Sequence, residues 1–245
     1  MKRATDCLVA FLALVLLAPV LAVVAVAIWL GDGKNPLFLA RRVARGGGEF
    51  RMVKFRTMIL DAWKSGVNST AVGDARITRI GSWLRKNKLD ELPQLWNVLV
   101  GDMSLVGPRP QVRTEVELYT EEEARMLAVR PGITDLASIV FADEGEILAG
   151  STDPDLDYQW MIRPWKSRLI LLYLENQSWT RDLHIVGITL LAALSRRRAL
   201  RALALLLEAC GASEKLQVVA TRQVPLEPAL PPGVGIFQKE ARANG

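Results

Sequence analysis

Cysteine and histidine are almost missing from this chain of 245 residues, with two of the first and one of the second. Cys7 and Cys210 lie near opposite ends in apolar or amphipathic surroundings, so no disulfide framework or Cys/His metal spacing is encoded. That usage fits a reducing compartment and a chain whose bulk lies in the cytosol. The lone His184, close to Asp182, reads as a packed or solvated side chain rather than a catalytic base. No internal repeat and no nucleic-acid fold signature is present. Nor does a small-x-small site follow the apolar N-terminal run, which argues against a cleaved signal peptide.

Present instead is a long apolar stretch, "LVAFLALVLLAPVLAVVAVAIWL", from Leu8 to Leu30. At about 1.5 Å per residue it is long enough for a hydrocarbon core about 30 Å thick. Lys2 and Arg3 precede it; Lys34, Arg41, Arg42 and Arg45 follow. Cationic flanks favour the cytoplasmic side, so a straight span would export one cluster. Pro19 removes a helix hydrogen bond near the middle of the run. Two arrangements remain open on the residues: a helix broken at Pro19 that returns to the face it entered, or a kinked spanning anchor. The net charge of +5 suits anionic membranes, phosphates or nucleic acid.

Beyond the run, "PLFLARRVARGGGEFRMVKFRTM" reads as a hairpin turning at Gly46 to Gly48. Its second strand, Phe50 to Met58, would carry Lys54 and Arg56 on one face, either as a solvated edge or as a phosphate clamp. Trp63 to Gly73 is polar and loop-like. A helical pattern follows around Ile77, Ile80 and Leu84, with Arg76, Arg79 and Arg85 on other faces.

Next comes "LDELPQLWNVLVGDMSLVGPRP", where Asp90 and Glu91 open a helix expected to end at Gly101. An acidic pair there is either an ordinary helix start or an ionised carboxylate held where phosphate also binds. Glu115 to Val129 reads as an amphipathic helix, Ile133 to Gly150 as irregular, and Asp155 to Gln177 as helix with Pro164 at a kink or start. Leu200, Leu203, Ala204 and Leu207 form a stripe beside Arg196, Arg197, Arg198 and Arg201, the composition of an interfacial helix. After Gly211 a Pro-rich tail is expected to be poorly ordered.

"KFRTM", the block from Asp74 to Pro110 and "VRPGIT", in that order behind an apolar N-terminal segment, closely resemble the monotopic polyprenyl-phosphate phosphoglycosyl transferases, a family of bacterial sugar transferases. The resemblance runs from about Lys2 to about Leu191. It implies an α+β fold dominated by helices, with a small β-hairpin or sheet and amphipathic interfacial helices. Its membrane element is a re-entrant helix broken at proline, here Pro19.

The implied division is a membrane helix-break-helix over 1–33 and a cytosolic catalytic domain over 34–194. A basic interfacial helix over 195–210 and the tail over 211–245 complete the chain. The implied reaction moves a sugar phosphate from a UDP-sugar to polyprenyl phosphate, undecaprenyl phosphate in bacteria, as the first membrane step of surface-glycan assembly. It would take place on the cytoplasmic face of the inner membrane.

The family's catalytic acidic pair falls on Asp90 and Glu91, and its Mg²⁺ requirement goes with them. Lys54, Arg56, Arg85 and Arg109 are the candidate phosphate partners. A carboxylate attacking phosphorus divides one displacement into two, and arginine forks suit a diphosphate. Where many members continue after "PGIT" with Gly-Leu-Ala-Gln-Val and then Gly-Arg, this chain has "DLASIVFADEGEIL", with Asp135 and Ser138 at corresponding places. No sugar-binding residue is therefore carried over from that region, and a homodimer is left open. The rival reading is a membrane-anchored basic module that binds anionic lipid or nucleic acid. It gives no reason for Asp90, Glu91 or the Pro-Arg-Pro.

Overall fold

The computed structural model describes residues 1–62 and 74–234. The loop expected over 63–73 and the end of the tail lie outside the described residues. Among the described residues helices dominate, with two small two-stranded sheets, in line with the α+β expectation.

Helix α1 runs from Lys2 to Asp32 and closes on Gly33, whose left-handed backbone (φ 68°) lets its N–H reach the Trp29 carbonyl. The helix continues through Pro19 without interruption, which corrects the break expected there. At about 46 Å it is longer than a hydrocarbon core, and among the described residues it is the one helix long and apolar enough to cross a membrane.

One stripe of α1 packs on the rest of the protein along most of its length. Ala10, Ala13, Leu14 and Leu17 join one core cluster, and Leu21, Val24, Ala25 and Ile28 another. This i, i+3, i+4 spacing places them along one face of the helix. Its other face is just as apolar, yet Leu8, Phe11, Leu12, Val15, Leu16, Val23, Val26 and Leu30 are exposed. A continuous apolar face of this kind marks a membrane or partner contact.

Both ends of α1 are tied down. Lys2 contacts Asp182 and donates to the Val106 carbonyl, and Arg3 donates to the carbonyls of Val98 and Leu99. Buried Asp6 accepts from the Ser104 hydroxyl at 2.7 Å and from the Leu105 N–H. At the far end Asp32 pairs with Arg56 through two hydrogen bonds of 2.6 and 2.7 Å. Lys2 and Arg3, cations that precede the apolar run, thus serve as structural contacts.

Strands β1 (Leu37–Val43) and β2 (Glu49–Phe55) form the expected antiparallel hairpin, with Ala40 opposite Met52 and the glycine turn between them. Helix α2 (Arg79–Lys86) follows, capped by the Thr78 hydroxyl. Helix α3 (Gln94–Val100) packs along both α1 and β2. Asn97 of α3 accepts from the Val53 N–H and donates to the Arg51 carbonyl, at 2.8 Å each, locking α3 to the hairpin. Strand β3 (Ser104–Val106) runs parallel to β4 (Gly132–Thr134). At Gly132 a Cβ would meet the Gly107 nitrogen at 2.1 Å, so only glycine allows the two chains this close.

Between those strands the expected helix over 115–129 is split into α4 (Arg113–Val116), α5 (Glu121–Ala124) and a 3₁₀ turn, because the Thr120–Glu123 capping box starts a new helix. The supposedly irregular 133–150 contains α6 (Leu136–Val140) and α7 (Glu144–Ile147). Short α8 (Pro154–Asp157) leads through a π turn into α9 (Arg163–Glu175), and α10 (Trp179–Leu194) follows.

The C-terminal elements depart most from expectation. In α11 (Arg196–Ala209) Ala199, Leu203 and Leu207 are fully buried in the main core with residues of α6, α9 and α10. The leucine stripe is core, while Arg197, Arg198 and Arg201 stay exposed. Past Gly211, α12 (Glu214–Thr221) buries Leu216, Val219 and Ala220. The chain then folds back: the Trp165 indole N–H donates to the Glu227 carbonyl, and the Thr120 hydroxyl to that of Pro232. Residues 211–234 are therefore part of the folded body, not a loose tail.

Candidate active site

Asp90 and Glu91 lie in a 3₁₀ turn, Leu89–Glu91, between α2 and α3, and not at the cap of α3 as the sequence suggested. Lys88 introduces the turn in the left-handed conformation (φ 56°), a strained choice for a lysine. The backbone then stays right-handed and helical through Leu92 and Pro93 into α3.

The two acids are treated very differently. Glu91 is clamped: Arg109 donates through both terminal nitrogens, one at 3.0 Å, and Lys54 donates at 3.2 Å. Burial pushes the Glu91 carboxyl up, but Arg109 and Lys54 outweigh it and hold the group well below the usual range. Asp90 is 8% exposed, and no hydrogen bond reaches its carboxylate from the described residues. Burial first, and Glu91 second, raise its pKa against the attraction of Lys54, Arg85 and Arg109.

Of the four candidate cations, the structure brings Lys54, Arg85 and Arg109 around the acidic pair and takes Arg56 elsewhere. Arg56 is buried against Asp32 and the Asn35 carbonyl, where it fastens the end of α1. The clamp expected of Lys54 and Arg56 on one strand face is therefore split. Arg85 donates to the Thr57 hydroxyl at 2.8 Å and feels both acids electrostatically. Burial, followed by the repulsion of Arg109, lowers Lys54 to about 8 despite its acidic neighbours.

Three contributors escaped sequence reasoning. Arg42 on β1 lies close enough to Arg109 to be depressed by it, after burial, to about 10. Lys88 adds positive potential at Glu91. Asp135 accepts from the Arg109 backbone N–H at 2.9 Å while it caps α6 in a reciprocal box with Ser138. The Asp-x-x-Ser spacing is a capping signature that was available in the sequence. Here the departure from the family pattern anchors the arginine loop. Beyond Arg109 a cleft opens between Asp135, Ser138, Tyr158, Arg163 and Lys166. Its cations are already paired, Lys166 with Glu144 and Arg163 with Glu123.

For a divalent ion the residues fit in part. Among the described residues no cluster of three metal-ligating side chains exists. Both Glu91 oxygens are taken by cations, which leaves Asp90 as the carboxylate with free lone pairs. One carboxylate with substrate phosphates is a usual Mg²⁺ arrangement.

This geometry can hold a polyanion over one buried, unencumbered carboxylate. The sequence model described as "Bacterial sugar transferase" matches residues 1–196. The chain belongs to the bacterial sugar transferase family. It is 42% identical over 142 residues to a UDP-N-acetylgalactosamine-undecaprenyl-phosphate N-acetylgalactosaminephosphotransferase of Aeromonas hydrophila, covering 57% of this chain and 34% of that protein. Against a UDP-glucose:undecaprenyl-phosphate glucose-1-phosphate transferase of Caulobacter vibrioides it is 38% identical, over 70% of this chain and 67% of the relative. An exopolysaccharide production protein of Sinorhizobium fredii is 38% identical over 155 residues, 56% of this chain and 68% of its own. The chain thus spans about a third of the Aeromonas protein, and with this family an association with membranes accords with the exposed apolar face of α1.

Proposed function

We propose that this sugar transferase moves a sugar 1-phosphate from a UDP-sugar to undecaprenyl phosphate on the cytoplasmic face of the bacterial inner membrane, and so starts a surface glycan. The observation that carries this reading is the asymmetry of the acidic pair. Glu91 is spent on orienting Arg109 and Lys54, while Asp90 is buried, free of hydrogen bonds from the described residues and surrounded by cations. A basic module for lipid or nucleic acid gives no reason to bury such a carboxylate.

In the first step an Asp90 oxygen attacks the donor's sugar-bearing phosphorus, and the bond from that phosphorus to the bridging oxygen breaks. UMP leaves with the electron pair, and the sugar phosphate stays on Asp90. In the second, an oxygen of the lipid phosphate attacks the same phosphorus, and the aspartyl bond breaks to restore the carboxylate. Arg109, Arg85 and Lys54 hold the phosphoryl oxygens and the charge that moves onto UMP. Mg²⁺, held by Asp90 and the donor diphosphate, would neutralise phosphate charge and make the phosphorus more electrophilic. The paired charges of the cleft beyond Arg109 suit the uncharged part of the donor.

With donor but no lipid, the protein should release up to one equivalent of UMP, and mass spectrometry should find the sugar phosphate on Asp90. Asp90→Asn should abolish both. An adduct on another residue, or UMP release that strictly needs lipid, would overturn the assignment.

A further inference from the structure

The cleft beyond Arg109 carries polar groups that the fold leaves unused. Tyr119 and Tyr158 both border it, and neither hydroxyl is bonded to a described residue or sealed inside the protein. Burial raises the pKa of both phenols, and Tyr158 adds to the rise at Tyr119, so the two lie close and stay protonated. Glu115 acts electrostatically on both. One of its oxygens accepts from the Gln159 amide at 2.7 Å, and the other accepts nothing from the described residues. Gln159 in turn accepts from Arg163 at 2.8 Å, and Arg163 is paired with buried Glu123. Lys166 lies over the Tyr158 ring, 5.1 Å from its centre, and Arg163 over that of Tyr119 at 5.7 Å. The unused groups are thus held in place by groups that are already satisfied, as a preorganised binding site requires.

Resting on the transferase reading above, we propose that this cleft is the sugar subsite, and that it takes a neutral pyranose whose hydroxyls bond to Tyr119, Tyr158 and Glu115. The competing occupant is the uridine of the donor, and the order of the two steps decides between them. Phosphoryl transfer sets the attacking and leaving oxygens in line. Asp90 attacks opposite UMP, so the lipid phosphate enters at the position that UMP has left. That position has to open toward the membrane. The sugar alone stays on phosphorus through both steps, off the line of attack, and so can occupy an enclosed site. The cleft is of this kind: no residue of α1, the hairpin or α3 borders it, and Met126 and Ile170 of the main core form part of its wall. Arg109 connects the two places, with its guanidinium on Glu91 and its backbone N–H on Asp135 at the cleft. Lys166 and Arg163 already have acidic partners, whereas Glu115 keeps a free oxygen. Hydroxyls are therefore welcome there, and a sugar bearing a carboxylate is repelled.

The test compares wild type with Tyr119→Phe, Tyr158→Phe and the double variant, each of which loses oxygen and keeps its ring. Thermal melting, kcat/KM for UDP-glucose, UDP-galactose and UDP-N-acetylgalactosamine, and inhibition by the product UMP are measured. The variants should melt no lower than wild type, since no hydrogen bond within the fold is lost. Each single variant should lose about three- to tenfold in kcat/KM for the best donor, and the double variant more. Inhibition by UMP, which lacks the sugar, should stay as in wild type. UDP-glucuronate should be turned over at least tenfold less well than the best neutral donor.

A double variant with unchanged kcat/KM overturns the proposal. So does a parallel weakening of UMP inhibition, which would place uridine in the cleft, and so does equal use of UDP-glucuronate, which would defeat the neutral sugar. Lost activity together with a lowered melting point marks the tyrosines as scaffold and also overturns it. Should the tyrosine variants not fold, Glu115→Gln decides by the same two kinetic readouts; failure of all three sites to fold counts against the proposal. A wild-type protein that releases UMP from no UDP-sugar removes the transferase reading and this inference with it. Normal wild-type turnover beside an unaffected double variant removes only the sugar subsite.

Discussion

Adjacent residues need not share a role even when they share a charge. Asp90 and Glu91 occupy one turn, yet Glu91 faces Arg109 and Lys54 while Asp90 is left open. The proposed reaction needs Asp90 ionised and Lys54 protonated, so its pH profile should be a bell. Burial and Glu91 set the acid limb above the ordinary aspartate range, and Lys54 places the alkaline limb near 8. Glu91→Gln removes a charge that raises both values, so both limbs should move to lower pH, which a profile of the UMP burst measures directly. A bell that keeps its position would show that Glu91 does not tune its neighbours. Because the folded value of Lys54 lies below its unfolded one, its titration makes the fold more stable as pH rises above 8. The alkaline loss of activity should therefore occur without a fall in melting temperature between about pH 8 and 9.

At the scale of elements, the C-terminal helices carry more of the fold than their composition suggests. Leu203, Leu207, Leu216 and Leu226 are buried, and at about 1.5–3 kcal/mol each they contribute about 6–12 kcal/mol together. Net stabilities of domains are about 5–15 kcal/mol. A chain cut after Leu194 should therefore fail to fold, seen as loss of the cooperative melt and of all UMP release. A cooperative melt retained by that fragment would show that α11 and α12 are accessories. The sequence allowed the opposite view because an arginine-flanked leucine stripe looks the same whether it lies on lipid or on protein. Periodicity reveals that a face is apolar, not what covers it. By contrast the hairpin was legible from its glycine turn and β-favouring residues, and the apolar run of α1 from its composition, though not its continuity through Pro19. Lys54, Asp90, Glu91, Arg85 and Arg109 were legible as a set through the family blocks. Arg56 was misplaced because strand alternation gives the face of a side chain but not the partner, here Asp32 on a distant element. Asp135 was passed over because its contact with Arg109 depends on the β3–β4 pairing, a long-range feature no local pattern reports.

Taken whole, the molecule holds its most apolar helix against its own catalytic body. A straight spanning helix would carry one end across about 30 Å of hydrocarbon, yet Lys2, Arg3 and Asp6 are fastened to β3, α3 and α10, and Asp32 to Arg56 just past β2. On the proposed membrane arrangement these contacts would keep both ends on one side, with the exposed face of α1 turned to lipid. The same contacts connect membrane and chemistry, since β3 leads straight into the loop that carries Arg109. Single cysteines at Ala4 and Gly48, both exposed and in a Cys7→Ser, Cys210→Ser background, should resist an impermeant thiol reagent in intact cells and react once the membrane is opened. Labelling of Ala4→Cys in intact cells would mean that α1 crosses the bilayer. Adding Lys2→Ala, Arg3→Ala and Asp6→Ala removes both the cationic flank and the contacts with β3 and α3. It should expose a fraction of Ala4→Cys while leaving Gly48→Cys shielded. UMP release should fall with that fraction, because a chain whose first turn has left β3 no longer holds Arg109 over Glu91.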